Sequence, residues 1–254
     1  MTSFKIVTTG WNCVEFAEQT LRSIEEQTYR DFQVSIAYEA NGPAEVVLLK
    51  DIIDKVGLED VLLATRYPSR FLFDVRTRYE ATMAGGLEDD VIVVTLDLDG
   101  DRLAHPDVLS HLVDYYADGT LLTYGNYEPV PFDAGCPPVL AYPEEVVEAR
   151  SYRAFGEVRF NHLRTMKGRV FKAIPVEQFQ FAKGPKAGQW YTKGNDVEFT
   201  FCGLELVGPR FKVIDEVLLH YNSINPNSNW RIAPGETHEC LRDFLSRPPL
   251  EELP

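Results

Sequence analysis

The chain has 254 residues, 44% hydrophobic and 25% charged, the profile of a globular protein with material for a sizeable core, which excludes collagen, extended disorder and a small disulfide scaffold. Its 39 acidic residues against 25 basic leave a net charge of −14, which opposes a general binder of nucleic acid or of anionic membrane. Four scattered cysteines, Cys13, Cys136, Cys202 and Cys240, form no CxxC pair and read as free thiols, and no apolar run approaches the roughly 20 residues of a bilayer span, so a cytoplasmic protein is expected.

In chain order, FKIVTT (residues 4–9) reads as a short buried strand ended by a turn at Gly10-Trp11-Asn12. A helix follows, with Val14, Phe16, Ala17, Leu21 and Ile24 at helical spacing, and FQVSIAY (32–38) returns as a second strand. AEVVLLKDIIDKV repeats the helical period, VLLAT (61–65) reads as a further strand, and the stretch after Arg76 reads as helix up to Gly85-Gly86. VIVVTL (91–96) is an unbroken apolar and β-branched run, the pattern of a parallel strand buried on both faces. Strands alternating with helices predict an open, mostly parallel twisted α/β sheet of Rossmann type flanked by helices, whose ligands gather at the carboxyl ends of the strands.

The second half differs. Pro129, Pro131, Pro137, Pro138 and Pro143 argue for loop or edge structure over 126–143 rather than a central strand. Residues 150–193 hold ten Lys or Arg and two Glu, a local charge of +8 that leaves −22 on the rest of the chain. That stretch reads either as a solvated or internally paired positive face or as a surface for a phosphate-bearing ligand. Within it His162, Arg164, Lys167 and Arg169 are the candidates for diphosphate or an anionic acceptor; in a helix, Arg164 and Lys167 would share a face.

Asp97-Leu98-Asp99-Gly100-Asp101 follows the buried strand directly. Three carboxylates at alternate positions repel one another unless a cation joins them, and hard oxygen donors suit Mg²⁺ or Mn²⁺. An acidic surface turn is the competing reading. An EF-hand starting at Asp97 fits poorly, because Arg102 stands where that loop needs glycine and Val108 where it needs glutamate.

Four segments resemble the GT-A glycosyltransferases, and within them the large family 2: FKIVTTGWNCVEFAEQTLRSIEEQTYRDFQVSI, VIVVTLDLDGDRLAHPDVLSHL, GNDVEF and KVIDEVLLHYNSINPNSN. The resemblance spans residues 4–230 and implies one catalytic domain, with a nucleotide-sugar half over 1–105, an acceptor half over 106–230 and a C-terminal tail over 231–254. It departs from the family pattern at Gly100, which replaces the last aspartate of a DxDD-like run, and at Glu39-Ala40-Asn41-Gly42, where the family shows paired aspartates. What it implies is a metal-dependent inverting transfer of sugar from a nucleoside-diphosphate donor, UDP-sugar favoured, to an acceptor hydroxyl of unspecified identity. The alternatives are an inactive nucleotide-sugar-binding module and a nucleotidyltransferase, the latter disfavoured because TTGWNCVEF lacks a basic, glycine-rich phosphate loop.

By the same resemblance, Asp97, Asp99 and Asp101, with His220, are the candidate ligands of Mn²⁺ or Mg²⁺. Asp97 also stands with Thr8, Thr9, Trp11, Asn12, Glu39 and Arg78 as the donor-binding set; of Arg76 and Arg78, two residues apart, at most one reaches the donor. Asp196 is the candidate base, with Glu198 and Glu205 as fallbacks and a plain helix-start residue as the competing reading. His220 at a strand end is otherwise structural, with Tyr221 and Asn222 ordering the loop, and Trp11 is otherwise a core residue.

Overall fold

Strand β1 (Phe4–Trp11) lies inside an open sheet, buried along nearly its whole length because its apolar and β-branched run has helices on both faces. The structure, a computed structural model, describes residues 2–67, 75–133, 135–227 and 234–254. Strands β2 (Phe32–Glu39) and β4 (Ile92–Asp97) flank β1 in parallel, and β3 (Val61–Arg66) extends the sheet beyond β2. Helices α1 (Val14–Glu25), α2 (Pro43–Val56) and α3 (Val75–Met83) make the crossovers. Past β4 the sheet turns mixed. Strand β7 (Arg164–Lys167) runs antiparallel to both β4 and β6 (Leu122–Val130), β6 runs parallel to β8 (Phe211–Asn222), and the two-residue β5 (Arg102–Leu103) closes the edge. The order is β3-β2-β1-β4-β7-β6-β8-β5.

Each face of the sheet carries its own core. Leu21, Ile24, Leu49 and Ile53 of α1 and α2, with Leu109 and Leu112 of α4 (Val108–Tyr115), pack on one face. On the other, Phe171 of α7 (Gly168–Ala173), Phe199 and Phe201 of α8 (Asn195–Val207), and Cys240 and Phe244 of α9 (Pro234–Leu245) enclose Tyr124 and Met166. The short helices α5 (Glu144–Glu148) and α6 (Tyr152–Phe155) border this second core. Part of the 231–254 tail is thus built into the core, and Leu253 N–H donates to Leu206 O at 2.8 Å. Among the described residues no helix is long and apolar enough to cross a membrane.

Two sequence expectations change and a third is sharpened. Gly10 lies inside β1 and does not begin a turn; a Cβ there would fall 2.7 Å from Cys13 Sγ and 3.0 Å from Leu98 Cβ, so the glycine serves close approach, and the left-handed residue is Asn12 at φ 46°. Gly10→Ala is expected to cost about 1–3 kcal/mol and to lower Tm by several degrees in a thermal melt; an unchanged Tm would mean that the Cys13 and Leu98 side chains yield freely.

The proline-rich segment begins inside a strand, since β6 continues through Pro129 to Val130. β7 pairs with Leu122, Thr123 and Tyr124, and Gly125 N–H still donates to Leu163 O at 2.9 Å, so from residue 126 on β6 has β8 beside it on one side, and the missing proline N–H costs no ladder bond on the open side. Arg164 and Lys167 lie on strand β7, not a helix, and an odd spacing of three sends them to opposite faces.

Most of the basic stretch pairs with acidic groups or carbonyls. Arg169 meets Asp90, Lys186 meets Glu239, Lys167 donates to Asp90 O, and Arg153 meets Glu205 in the core.

Candidate functional site

The carboxyl ends of β1 and β4 lie side by side, with Thr9 in register with Asp97 and Leu98 N–H donating to Thr9 O at 2.9 Å. This is where the strand order leaves β1 in both directions, the place where an open α/β sheet forms a ligand crevice. Asp97 ends β4 and ion-pairs through Oδ1 with Arg78 Nη2 of α3. Arg78 is buried, and its Nη1 also donates to Val7 O at 3.3 Å. Arg76, two residues away on the same helix, is turned outward to Glu80 at 2.6 Å.

The turn after Asp97 brings the other two carboxylates to the same corner. Gly100 takes φ +103°, and a Cβ there would collide with Gln19 and Asn222, which explains why glycine stands at that point of the acidic run. Asp99 accepts from Asn225 Nδ2 through Oδ2 at 2.6 Å, while its carbonyl accepts from Asn222 Nδ2 at 2.6 Å. Asp101 is fully buried and accepts Asn222 N–H through Oδ1 at 2.9 Å. Asp99 Oδ1 and Asp101 Oδ2 are buried and have no hydrogen-bond partner among the described residues.

His162 completes the corner, with Nδ1 3.8 Å from Asp101 Oδ2 and its ring stacked on Tyr221 at 5.7 Å. The ligand atoms of Asp97, Asp101 and His162 all lie within 4.8 Å of one another.

The electrostatics of this corner are unbalanced. Burial and the charge of Asp97 push the Asp99 carboxyl up to about 7. Burial, then Asp99 and Asp97, push Asp101 well above the carboxylate range. His162 is held well below its usual value by burial and by Arg164, so its ring stays neutral, with an Nδ1 lone pair that faces Arg164 and Asp101 and that a cation would have to share with the guanidinium. Two orphaned carboxylate oxygens, three crowded aspartates and a neutral imidazole fit a hard divalent cation, which would supply the missing positive charge.

Arg164 links this corner to α8. It is buried, its Nη2 lies 3.3 Å from His162 Nδ1, and its Nη1 donates to Asp196 Oδ2 at 2.9 Å. Asp196 stands in the first turn of α8 after Gly194, which takes φ +91°, and keeps 40% of its side chain exposed. A carboxylate that is held by a fixed guanidinium yet open to the crevice can orient, and accept a proton from, a bound hydroxyl.

No protein-family model matches the chain, and no curated protein does. Solved structures do. The chain is similar to Staphylococcus aureus TarS, with a TM-score of 0.63 and 12% identity over 95% of this chain and 38% of that one. It is similar to the mannosyltransferase PcManGT from Pyrobaculum calidifontis, solved with GDP-Man and Mn²⁺, with a TM-score of 0.57 and 14% identity over 89% of this chain and 58% of that one. It is similar to glucosyl-3-phosphoglycerate synthase from Mycobacterium tuberculosis, solved with UDP, with a TM-score of 0.54 and 15% identity over 97% of this chain and 81% of that one. The chain has the GT-A glycosyltransferase fold. It spans little more than a third of the TarS chain.

Within this GT-A fold the donor-side candidates line the ends of β1 and β2. Thr8 and Thr9 are buried with hydroxyls that have no partner among the described residues. Trp11 closes β1 in register with Glu39, whose Oε1 accepts from Thr77 Oγ1 at 2.8 Å. Asn12 is held by Asn41 Nδ2 on its side chain (2.7 Å) and by Asn227 Nδ2 on its carbonyl (2.8 Å).

The structure does not bring His220 into the aspartate corner. It lies on β8 in register with Arg102, with Nε2 3.7 Å from Glu128 Oε2, and burial and Arg102 lower its pKa. The fallback carboxylates are enclosed: Glu205 is clamped by Arg153, and Glu198 is fully buried with its carboxyl pushed well up by desolvation. Residues 228–229 of the tail quoted in the resemblance lie outside the described residues.

Sequence reasoning missed His162 as a neighbour of Asp101 and Arg164 as the holder of Asp196. No spacing in the chain signals either; the antiparallel pairing of β7 on β4, which sets Thr95 against Arg164, creates both.

Proposed function

We propose that this chain is a metal-dependent inverting glycosyltransferase that moves a sugar from a nucleoside-diphosphate sugar, UDP-sugar favoured, to an acceptor hydroxyl. The observation that carries this reading is the corner of Asp97, Asp99, Asp101 and His162, in which the buried Asp99 Oδ1 and Asp101 Oδ2 have no hydrogen-bond partner among the described residues, joined through Arg164 to Asp196. TarS and glucosyl-3-phosphoglycerate synthase have been solved with UDP and the mannosyltransferase with GDP-Man, which supports a nucleotide-sugar donor here.

Asp97, Asp101 and His162, with Asp99 beside them, would hold Mn²⁺ or Mg²⁺, which when bound neutralises the charge of the diphosphate leaving group. The protein's own groups do the rest. Thr8, Thr9, Trp11, Asn12 and Glu39 bind the nucleoside. Arg78 holds the Asp97 carboxylate toward the crevice. Asp196, oriented by Arg164, takes the proton of the acceptor hydroxyl as its oxygen attacks the anomeric carbon from the face opposite the leaving group, which inverts the configuration.

The experiment is a thermal-shift and turnover series with UDP- and GDP-sugars, with and without Mn²⁺, on the wild type and Asp101→Asn. A ligand that binds only the folded form raises Tm. The wild type is expected to show a Mn²⁺-dependent shift with one nucleotide and transfer from the matching sugar, with an inverted anomer in the product by NMR. Asp101→Asn puts a neutral amide of the same shape in place of a buried carboxyl that its neighbours crowd, so without metal its Tm holds or rises, while the Mn²⁺-dependent shift and turnover disappear. A wild type that responds to no nucleotide, or an Asp101→Asn protein that keeps the full shift, overturns the proposal.

A further inference from the structure

A second group of residues with metal-ligating chemistry lies at the β8–β5 edge of the sheet. His105 sits in the loop after β5, His111 on α4 and Glu216 on β8. His111 Nδ1 lies 2.8 Å from Glu216 Oε1 and His105 Nε2 lies 3.3 Å from the same oxygen, with the two rings 5.0 Å apart. All three ligand atoms fall within 4.8 Å of one another. The Tyr115 hydroxyl donates to the remaining oxygen, Glu216 Oε2, at 3.5 Å.

We propose that His105, His111 and Glu216 form a binding site for a borderline transition-metal ion, Zn²⁺ above all, that ties the start of α4 to β8. The inference is independent of sugar transfer. Two imidazoles with one carboxylate select Zn²⁺ over Mg²⁺ or Ca²⁺, which take oxygen ligands, so this site and the all-but-one-oxygen corner at Asp97 and Asp101 sort two different metals. The geometry suits a small ion: ligand bonds of about 2.1 Å in a tetrahedron place neighbouring donor atoms about 3.4 Å apart. The His105–Glu216 distance already matches that spacing, and an ion would draw His111 back from Glu216 within a cluster whose donor atoms already lie inside 4.8 Å. The three side chains are between 32% and 43% exposed, which gives an ion an entry path and leaves the fourth position to water.

The metal-free hydrogen bonds adapt at small cost. Asp107 N–H donates to His105 Nδ1 at 3.3 Å, which leaves the imidazole proton on Nε2, facing Glu216. Metal at Nε2 moves that proton to Nδ1 and gives up this long bond. The same exchange of tautomers frees His111 Nδ1, and neither ring loses its proton overall.

The test uses Asp101→Asn as background, so that the aspartate corner does not compete. Calorimetric titration with ZnSO4 is expected to show one Zn²⁺ per chain. His111→Gln and Glu216→Gln, each made in that background, weaken binding by at least about 100-fold, the upper end of what losing an outer-shell partner costs. With CoCl2 the background protein shows the intense visible bands of four-coordinate Co²⁺, and the same two variants lose them. His111 and Glu216 are partly exposed, so both variants keep the far-UV circular dichroism of the parent. Zinc binding that survives both substitutions unchanged, a background protein that takes up no zinc, or weak six-coordinate cobalt bands each overturn the proposal.

Discussion

Asp196→Asn is expected to lower kcat by about 10²–10⁴-fold and to leave the affinity for nucleoside diphosphate and Mn²⁺ at its wild-type value. Asparagine keeps an oxygen to accept the Arg164 hydrogen bond, so the crevice holds its shape while the group that takes the acceptor proton is lost. Pre-steady-state transfer and nucleotide titrations read the two effects separately. Equal loss of affinity and rate would make Asp196 a structural anchor for Arg164. A wild-type rate would leave the reaction without a base in the crevice, because Glu198 and Glu205 are enclosed and cannot reach an acceptor.

The largest effect on stability is expected from the ion pair behind the helix that presents Asp196. Arg153 contacts Glu205 through two bonds of 2.6 and 2.7 Å, donates to Gln178 Oε1 at 3.1 Å and to Phe244 O at 3.3 Å, and stacks over the Phe244 ring at 4.1 Å. Glu205 also accepts Leu250 N–H at 3.0 Å. Arg153→Ala leaves a buried carboxyl without its cation and opens a gap beside Phe244, a loss of about 3–5 kcal/mol, or roughly 10 °C in Tm for a chain of this size. Arg153→Met with Glu205→Leu removes both charges and fills the space, so most of the loss is recovered. If the single variant melts within a degree or two of the wild type, water reaches Glu205 and the pair is not sealed.

The parallel half of the sheet was legible because its signal is local. FKIVTT, FQVSIAY and VIVVTL are buried on both faces, and such strands write their burial into consecutive residues. The aspartate run was legible for the same reason, being one turn at the end of one strand. β7 was not legible: four residues, two of them cationic, show no period, and their strand exists because β4 and β6 supply its partners. The same holds for the company that Asp101 keeps. His162 lies far along the chain and reaches it through tertiary pairing alone, whereas His220, which follows an apolar run at a strand end, is carried by β8 to Arg102 and Glu128. The prolines after residue 126 were a sound sign of an open edge, and the strand they interrupt was set by β8 beyond reach of any local cue.

The direction of β7 has one more effect. Because it alone runs against β4, its opening residues arrive at the mouth where the parallel strands finish, and a single short segment delivers both the imidazole beside the cation corner and the guanidinium that steadies Asp196. A slip of two residues along that ladder would displace both groups together, so under the proposed function grip on the donor and deprotonation of the acceptor would share one mechanical adjustment and would not drift apart independently.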